Sequence, residues 1–202
     1  FQRPLVWQWE ARLELFRSIR DGIPMGAIMV WRSSVPVLDC YRFLGPHRLD
    51  SPSSSPQYLL DGVQRLSTLL GALSSVDVVH TNDEEFLEAD GGPPTENFSV
   101  HYDFEAKDFL RAEDVKSSNE NVTLPMSLMF DSVGMLRFQR NLKGDEETID
   151  SMVRSCDDLV AAFREYKVPV IPIVTDDIAM ATRTFQRLNS QGEAMSEVHM
   201  IH

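Results

Sequence analysis

The stretch Asp61-Gly62-Val63-Gln64-Arg65 holds the residue types from which a phosphate site can be built. Glycine lets the chain turn sharply and come close to a ligand. If a helix starts directly after it, the N–H groups of Val63, Gln64 and Arg65 project from the helix N-terminus, where anions are stabilised. Arg65 adds a planar, permanently charged fork that matches phosphate oxygens. Asp61 repels a bare phosphate, so it has to cap the helix or engage a metal ion or water beside the anion. The same residues also compose an ordinary Asp-Gly turn followed by a surface arginine, and spacing alone leaves both readings open.

Other constellations are thinner. Asp103-Phe104-Glu105-Ala106-Lys107 contains the Glu-x-Lys half of a metal-dependent nuclease site, with Asp83 or Asp90 as the distant acid. Acid-x-lysine triplets are common, and a solvated charged face is the competing reading. His199 and His202 stand three apart, but two ligands fall short of a metal site. Cys40 and Cys156 lie far apart without metal-like spacing and read as free cytosolic thiols. No Cys, His and Asp triad can be assembled, so no nucleophile is assigned, and no residue is assigned as a metal ligand.

The elements that must position these groups follow from periodicity. Trp9 to Asp21 reads as a helix, with Ala11, Leu15, Phe16 and Ile19 at three- and four-residue steps, stopped by Gly22 and Pro24. At least one of Trp7 and Trp9 is expected in the core. Ala27 to Trp31 is short and apolar, which predicts a buried strand. Val35 to Leu44 is expected to be its partner, and Gly45 to Pro56 a loop. Gln57 to Leu60 predicts a strand running through Asp61-Gly62 into a helix that carries Leu66, Leu69, Leu70 and Leu73 at offsets 0, 3, 4 and 7. Thr81 to Asn97, with six acids and no base, predicts a solvated excursion, and Phe98 to Phe104 a strand. Pro125 is expected to open a helix through Leu136. A longer helix carries Ile149, Met152, Val153, Cys156, Leu159, Val160 and Phe163 behind Asp145, Glu146 and Glu147. Val170 to Val174 reads as an edge or strand-end segment because of Pro172, and a last helix is capped by Asp176 or Asp177 and closed from Asn189 to Gly192. Helices and short strands alternate without the βαβ rhythm of a doubly wound sheet, so the fold class is α+β.

Five blocks occur in an order that resembles the GmrSD-type restriction endonuclease N-terminal domain. They are Gln2-Arg3-Pro4-Leu5-Val6-Trp7, Gly22 to Gly26 followed by Ile28 to Trp31, Leu60 to Leu69, Leu124 to Leu128, and Thr184 to Ser196. The resemblance implies a ParB/sulfiredoxin-like nucleotide-binding subdomain with a small mixed sheet over residues 1–120. A helical subdomain over 121–202 would pack on it and complete the cleft, the whole being one compact piece of a longer chain. It implies binding, and hydrolysis, of a nucleoside triphosphate with Mg2+ that governs a DNA-cutting domain in bacterial anti-phage defence, often a C-terminal HNH nuclease. The family's Asp-Gly-Gln-Gln-Arg motif falls on Asp61, Gly62, Val63, Gln64 and Arg65, with valine in place of the first glutamine. By this resemblance Asp61, Gln64 and Arg65 serve hydrolysis, while Gln2, Arg3, Gly62, Val63, Arg65, Arg187 and Asn189 bind the nucleotide. Arg3 would make a second phosphate contact oriented by Gln2. Arg187 and Asn189 would reach the same cleft; otherwise Asn189 caps its helix in a left-handed conformation and Arg187 is a solvated cation. Valine can neither donate nor accept a hydrogen bond. If the missing glutamine positions water, a second reading follows: a nucleotide-sensing or protein-interaction module without turnover. The metal-dependent nuclease is the third.

Charge separates the partners. The net charge is -12, which argues against a surface that grips nucleic acid throughout by counterion release. Residues 1–75 balance at +2 and the remainder carries -14, so a small cationic cleft fits the first part. DNA is therefore expected to be held by a separate nuclease domain or partner, with self-association among the expected contacts. No apolar run spans a bilayer and the first residues lack a signal-peptide pattern, so no membrane contact and a cytoplasmic location are expected.

Overall fold

Helix α1 (Trp9–Arg20) keeps Leu15, Phe16 and Ile19 of its expected apolar stripe, but Ala11 is exposed and Arg12, expected on another face, is buried. Arg12, Leu13, Leu15, Phe16 and Ile19 form its buried stripe. It stops in a Schellman turn: Gly22 sits at φ +69°, its N–H donates to Ile19 O (3.2 Å), and Ile23 N–H donates to Ser18 O (2.8 Å). The computed structural model describes residues 7–34, 43–49, 57–74, 97–116 and 122–191. These belong to two compact units, one drawn from residues 1–26, 41–50 and 63–168, the other from 27–40, 51–62 and 169–202.

The first unit contains α1, the hairpin β2 (Phe43–Leu44) and β3 (His47–Arg48), and α2 (Val63–Leu73). Strands β5 (Val100–Asp103), β6 (Asp108–Arg111) and β7 (Thr123–Pro125) form an antiparallel sheet in the order β6-β5-β7. Two further helices follow, α3 (Ser132–Arg140) and α4 (Glu146–Glu165). Val100 and Tyr102 point inward from β5 while His101 and Asp103 are half-exposed, the two-residue alternation of a sheet with one covered face. Phe16 of α1 meets Phe109 of β6 and Phe163 of α4 at ring-centroid distances of 5.4 and 5.7 Å. The expected stripe of α4 is borne out: Met152, Cys156, Leu159 and Phe163 are buried, and the Asp145 carboxylate caps the helix by accepting from Thr148 N–H (2.8 Å).

The second unit holds a three-stranded sheet in the order β4-β1-β8, with β1 (Ile28–Arg32) antiparallel to β4 (Gln57–Asp61) and parallel to β8 (Val170–Val174). Proline-containing β8 is at the edge, as expected. Trp31 is buried, meets the Tyr58 ring at a tilt of 36° (centroids 5.1 Å apart) and donates from Nε1 to Thr175 O (2.7 Å). Helix α5 (Ile178–Gln191) is capped by Asp177, which accepts from Ala179 and Met180 N–H.

The mixed composition of helices and small sheets is α+β. Local expectations are corrected or extended at four places. Of Val35 to Leu44, the described residues Phe43 and Leu44 pair with His47 and Arg48 rather than with β1, so part of the expected loop after Gly45 is a hairpin. Pro125 closes β7 opposite His101, where a missing N–H costs little at a sheet edge, and it opens only a single 3-10 turn (Met126–Leu128); the α-helix waits for Asp131, whose carboxylate accepts from Val133 and Gly134 N–H (3.1 and 2.9 Å). The leucine face of α2 is not its most buried one. Ser67, Thr68, Gly71 and Ala72 are buried and Leu70 is exposed, while Leu69 and Leu73 pack half-buried against the core; at Gly71 the neighbouring Phe98 leaves no room for a Cβ. The backbone of Asn189 lies within α5, so it is not a left-handed cap. The acidic stretch from Thr81 lies outside the described residues up to Glu96. Among the described residues, no helix is long and apolar enough to cross a membrane.

Candidate functional site

Strand β4 ends at Asp61, Gly62 follows at φ +100°, and α2 begins at Val63. That backbone conformation is open to glycine and strained for other residues, which explains Gly62 between an extended segment and a helix. The first N–H groups of α2 have no partners within the helix, the ordinary condition of a helix start. Gly62 is buried, Val63, Gln64 and Arg65 are half-buried, and Asp61 is exposed.

Within the first unit, the first turn of α2 reaches two loops. Trp7 N–H donates to Gln64 Oε1 (3.3 Å), and Trp7 O accepts from Arg12 Nε (3.2 Å), so both backbone polar groups of Trp7 are engaged. Arg12 is 3% exposed and lies over the rings of Trp9 (5.0 Å) and Phe98 (5.3 Å), a cation–π setting that offsets part of its burial. Trp7 and Trp9 are both half-buried against the core. Arg65 Nη1 donates to Met25 O (2.8 Å) in the Gly22–Gly26 loop. A Cβ on Gly26 would lie 2.5 Å from Arg65 Nη1, so the guanidinium rests against a glycine that leaves it space. Tyr166 Oη donates to Ile23 O and accepts from Met25 N–H, each at 2.7 Å.

The sequence-expected residues are thus unequally placed. Gln64 and Arg65 stand together on one turn with contacts to the segments before and after α1. Gln2 and Arg3 lie outside the described residues, as do Asp83 and Asp90, His199 and His202, and the Asn189 side chain. Arg187 is an exposed residue of α5 in the second unit. Asp103, Glu105 and Lys107 build the β5–β6 turn: Asp103 Oδ1 accepts from Glu105 and Ala106 N–H (2.8 and 3.0 Å), and Lys107 takes φ +53°. This turn gives the Glu-x-Lys spacing a structural cause. Among the described residues, no three His, Cys, Asp or Glu side chains gather as a metal cage.

Sequence reasoning missed Met25 and Gly26 as partners of this turn, and Arg12 and Tyr166 as the side chains that bond the segments it touches. Two glycines bracketing Ile23-Pro24-Met25 signalled a loop, but nothing local showed that its Met25 carbonyl faces Arg65.

A family model described as the GmrSD restriction endonuclease, N-terminal domain, matches residues 1–202, the whole chain. No curated protein matches it.

Proposed function

The chain belongs to the GmrSD restriction endonuclease N-terminal domain family, a family of restriction and defence proteins that act on DNA, and on that premise we propose that it binds a nucleoside triphosphate and regulates DNA cleavage. The observation that carries this reading is Arg65. It sits in the first turn of a helix that starts behind a glycine at φ +100°, and its guanidinium is anchored on Met25 O. Phosphate oxygens would be taken by the N–H groups of that first turn and by Arg65, where helix dipole and fixed charge act in the same direction. Arg3 and Gln2 are proposed as further nucleotide contacts, from their places in the family's motifs.

Magnesium would supply charge neutralisation while bound to the triphosphate. Such an ion keeps most of its ligands as phosphate oxygens and water and takes one or two carboxylates, and the exposed Asp61 in the same motif suits that role. Hydrolysis is then a matter of orienting water and stabilising charge, for which Gln64 and Arg65 are the proposed groups. Cleavage of DNA would fall to a separate nuclease domain or partner, in keeping with the net charge of -12.

A second reading keeps binding and drops turnover. Val63 replaces a motif glutamine, and Gln64 Oε1 accepts from a backbone N–H, which commits one of its lone pairs to structure. Calorimetric titration with the magnesium salts of ATP, GTP, CTP and UTP tests the common premise. Arg65→Ala should weaken the binding triphosphate at least about tenfold, the scale of one lost charge-assisted contact. Unchanged affinity would overturn both readings.

A further inference from the structure

Met25 uses both of its backbone groups in opposite directions. Its N–H is taken by Tyr166 Oη and its carbonyl by Arg65 Nη1. Tyr166 is the residue that ends α4, and its hydroxyl also donates to Ile23 O, so one side chain bridges the two ends of the Ile23-Pro24-Met25 bend. Gly22 and Gly26, at φ +69° and +90°, bound the same bend. Arginine carries much rotamer freedom, and a fixed acceptor lowers the entropy lost when the guanidinium meets an anion.

We infer that Tyr166 and Gly26 are positioning residues for Arg65: the tyrosine hydroxyl holds the Met25 carbonyl where it orients the guanidinium, and the absent side chain of Gly26 leaves the space the guanidinium occupies. The inference deepens the proposed phosphate role of Arg65 and rests on it for its functional consequence. Removing only the hydroxyl, by Tyr166→Phe, keeps the ring in the core and releases the bend. Gly26→Ala acts from the other side, since its Cβ would meet Nη1 at 2.5 Å and the guanidinium has to move.

Two readouts test this. The first needs no nucleotide: the order parameter of the Arg65 Nε–H group by NMR, assigned through its loss in Arg65→Lys. It should fall in Tyr166→Phe and in Gly26→Ala, in samples whose thermal unfolding shows them folded. An unchanged order parameter in both overturns the inference. The second is a double-mutant cycle using magnesium ATP and GTP. Tyr166→Phe should weaken binding by about tenfold when Arg65 is present and have no further effect in an Arg65→Ala background. An equal loss in both backgrounds means that Tyr166 acts on the fold alone, and overturns the inference. If Arg65→Ala binds as tightly as the native chain, the phosphate reading fails, and the order parameter still decides whether Tyr166 places Arg65.

Discussion

Gly71 of α2 lies directly against Phe98: a Cβ built on the glycine would stand 2.5, 2.7 and 2.8 Å from Phe98 Cγ, Cβ and Cδ1. Phe98 Cβ is bonded to its own backbone, so rotation of the ring cannot relieve the overlap. Helix propensity alone favours Gly71→Ala by about 1 kcal/mol. Overpacking of a filled site costs about 1–3 kcal/mol. The second effect wins here because both residues are buried, and Gly71→Ala is expected to lower the melting temperature. A rise would show that Phe98 yields freely.

Substitution at Val63 tests the proposed turnover against sensing. Val63→Gln restores the family's motif residue at the first position of α2, where the native side chain is half-buried. Under the hydrolytic reading, phosphate release with magnesium triphosphate should rise by an order of magnitude or more, a usual scale for a positioned water or proton acceptor. If binding persists and neither chain releases phosphate, the domain is a sensor.

Arg17 ties α1 to β6 through a two-pronged pair with Asp108, at 2.8 and 2.9 Å. These hydrogen bonds hold the Asp108 carboxyl below the usual carboxylate range. A folded-state value below the unfolded one, about 3.9, means that the contribution is present above that pH and is lost as pH falls through the folded value. Asp108→Asn should therefore destabilise the protein at pH 6, by a modest amount because the carboxylate is partly solvated, and the gap from the native chain should narrow towards pH 3. A gap that is constant with pH in thermal unfolding would exclude the ion pair as its source.

Cys156 is buried in the core of the first unit, and loss of hydration pushes its thiol up to about 11. Since the thiolate is the reactive form, iodoacetamide at pH 8 should leave Cys156 unmodified in the native protein and modify it in denaturant. Peptide mapping by mass spectrometry distinguishes it from Cys40. Rapid native labelling at Cys156 would contradict its burial.

Local signals carried much of the architecture. The apolar stripe and the Gly22 stop defined α1, the acids at 145–147 and the spacing up to Phe163 defined α4, and Gly62 marked the change from strand to helix. These are settled within one or two helical turns, so periodicity and capping chemistry suffice to read them. The motif from Asp61 to Arg65 was legible for the same reason, as residue types in a row. What lay across the chain was not legible. Pro125 suits a helix start as well as a strand end, and only its pairing with His101 decides. Four leucines on α2 outweigh Ser67 and Gly71 in hydrophobicity, yet close approach to Phe98 and the β2–β3 hairpin selects the small face. Tyr166 is 141 residues from Met25 and Arg65 is 40 from it. The sequence by itself determined which elements form and which residues bear charge or hydrogen-bonding groups, because those depend on near neighbours. Tertiary structure decided which face is buried and which carbonyl anchors Arg65, because packing and long-range hydrogen bonds join groups with no local trace of one another.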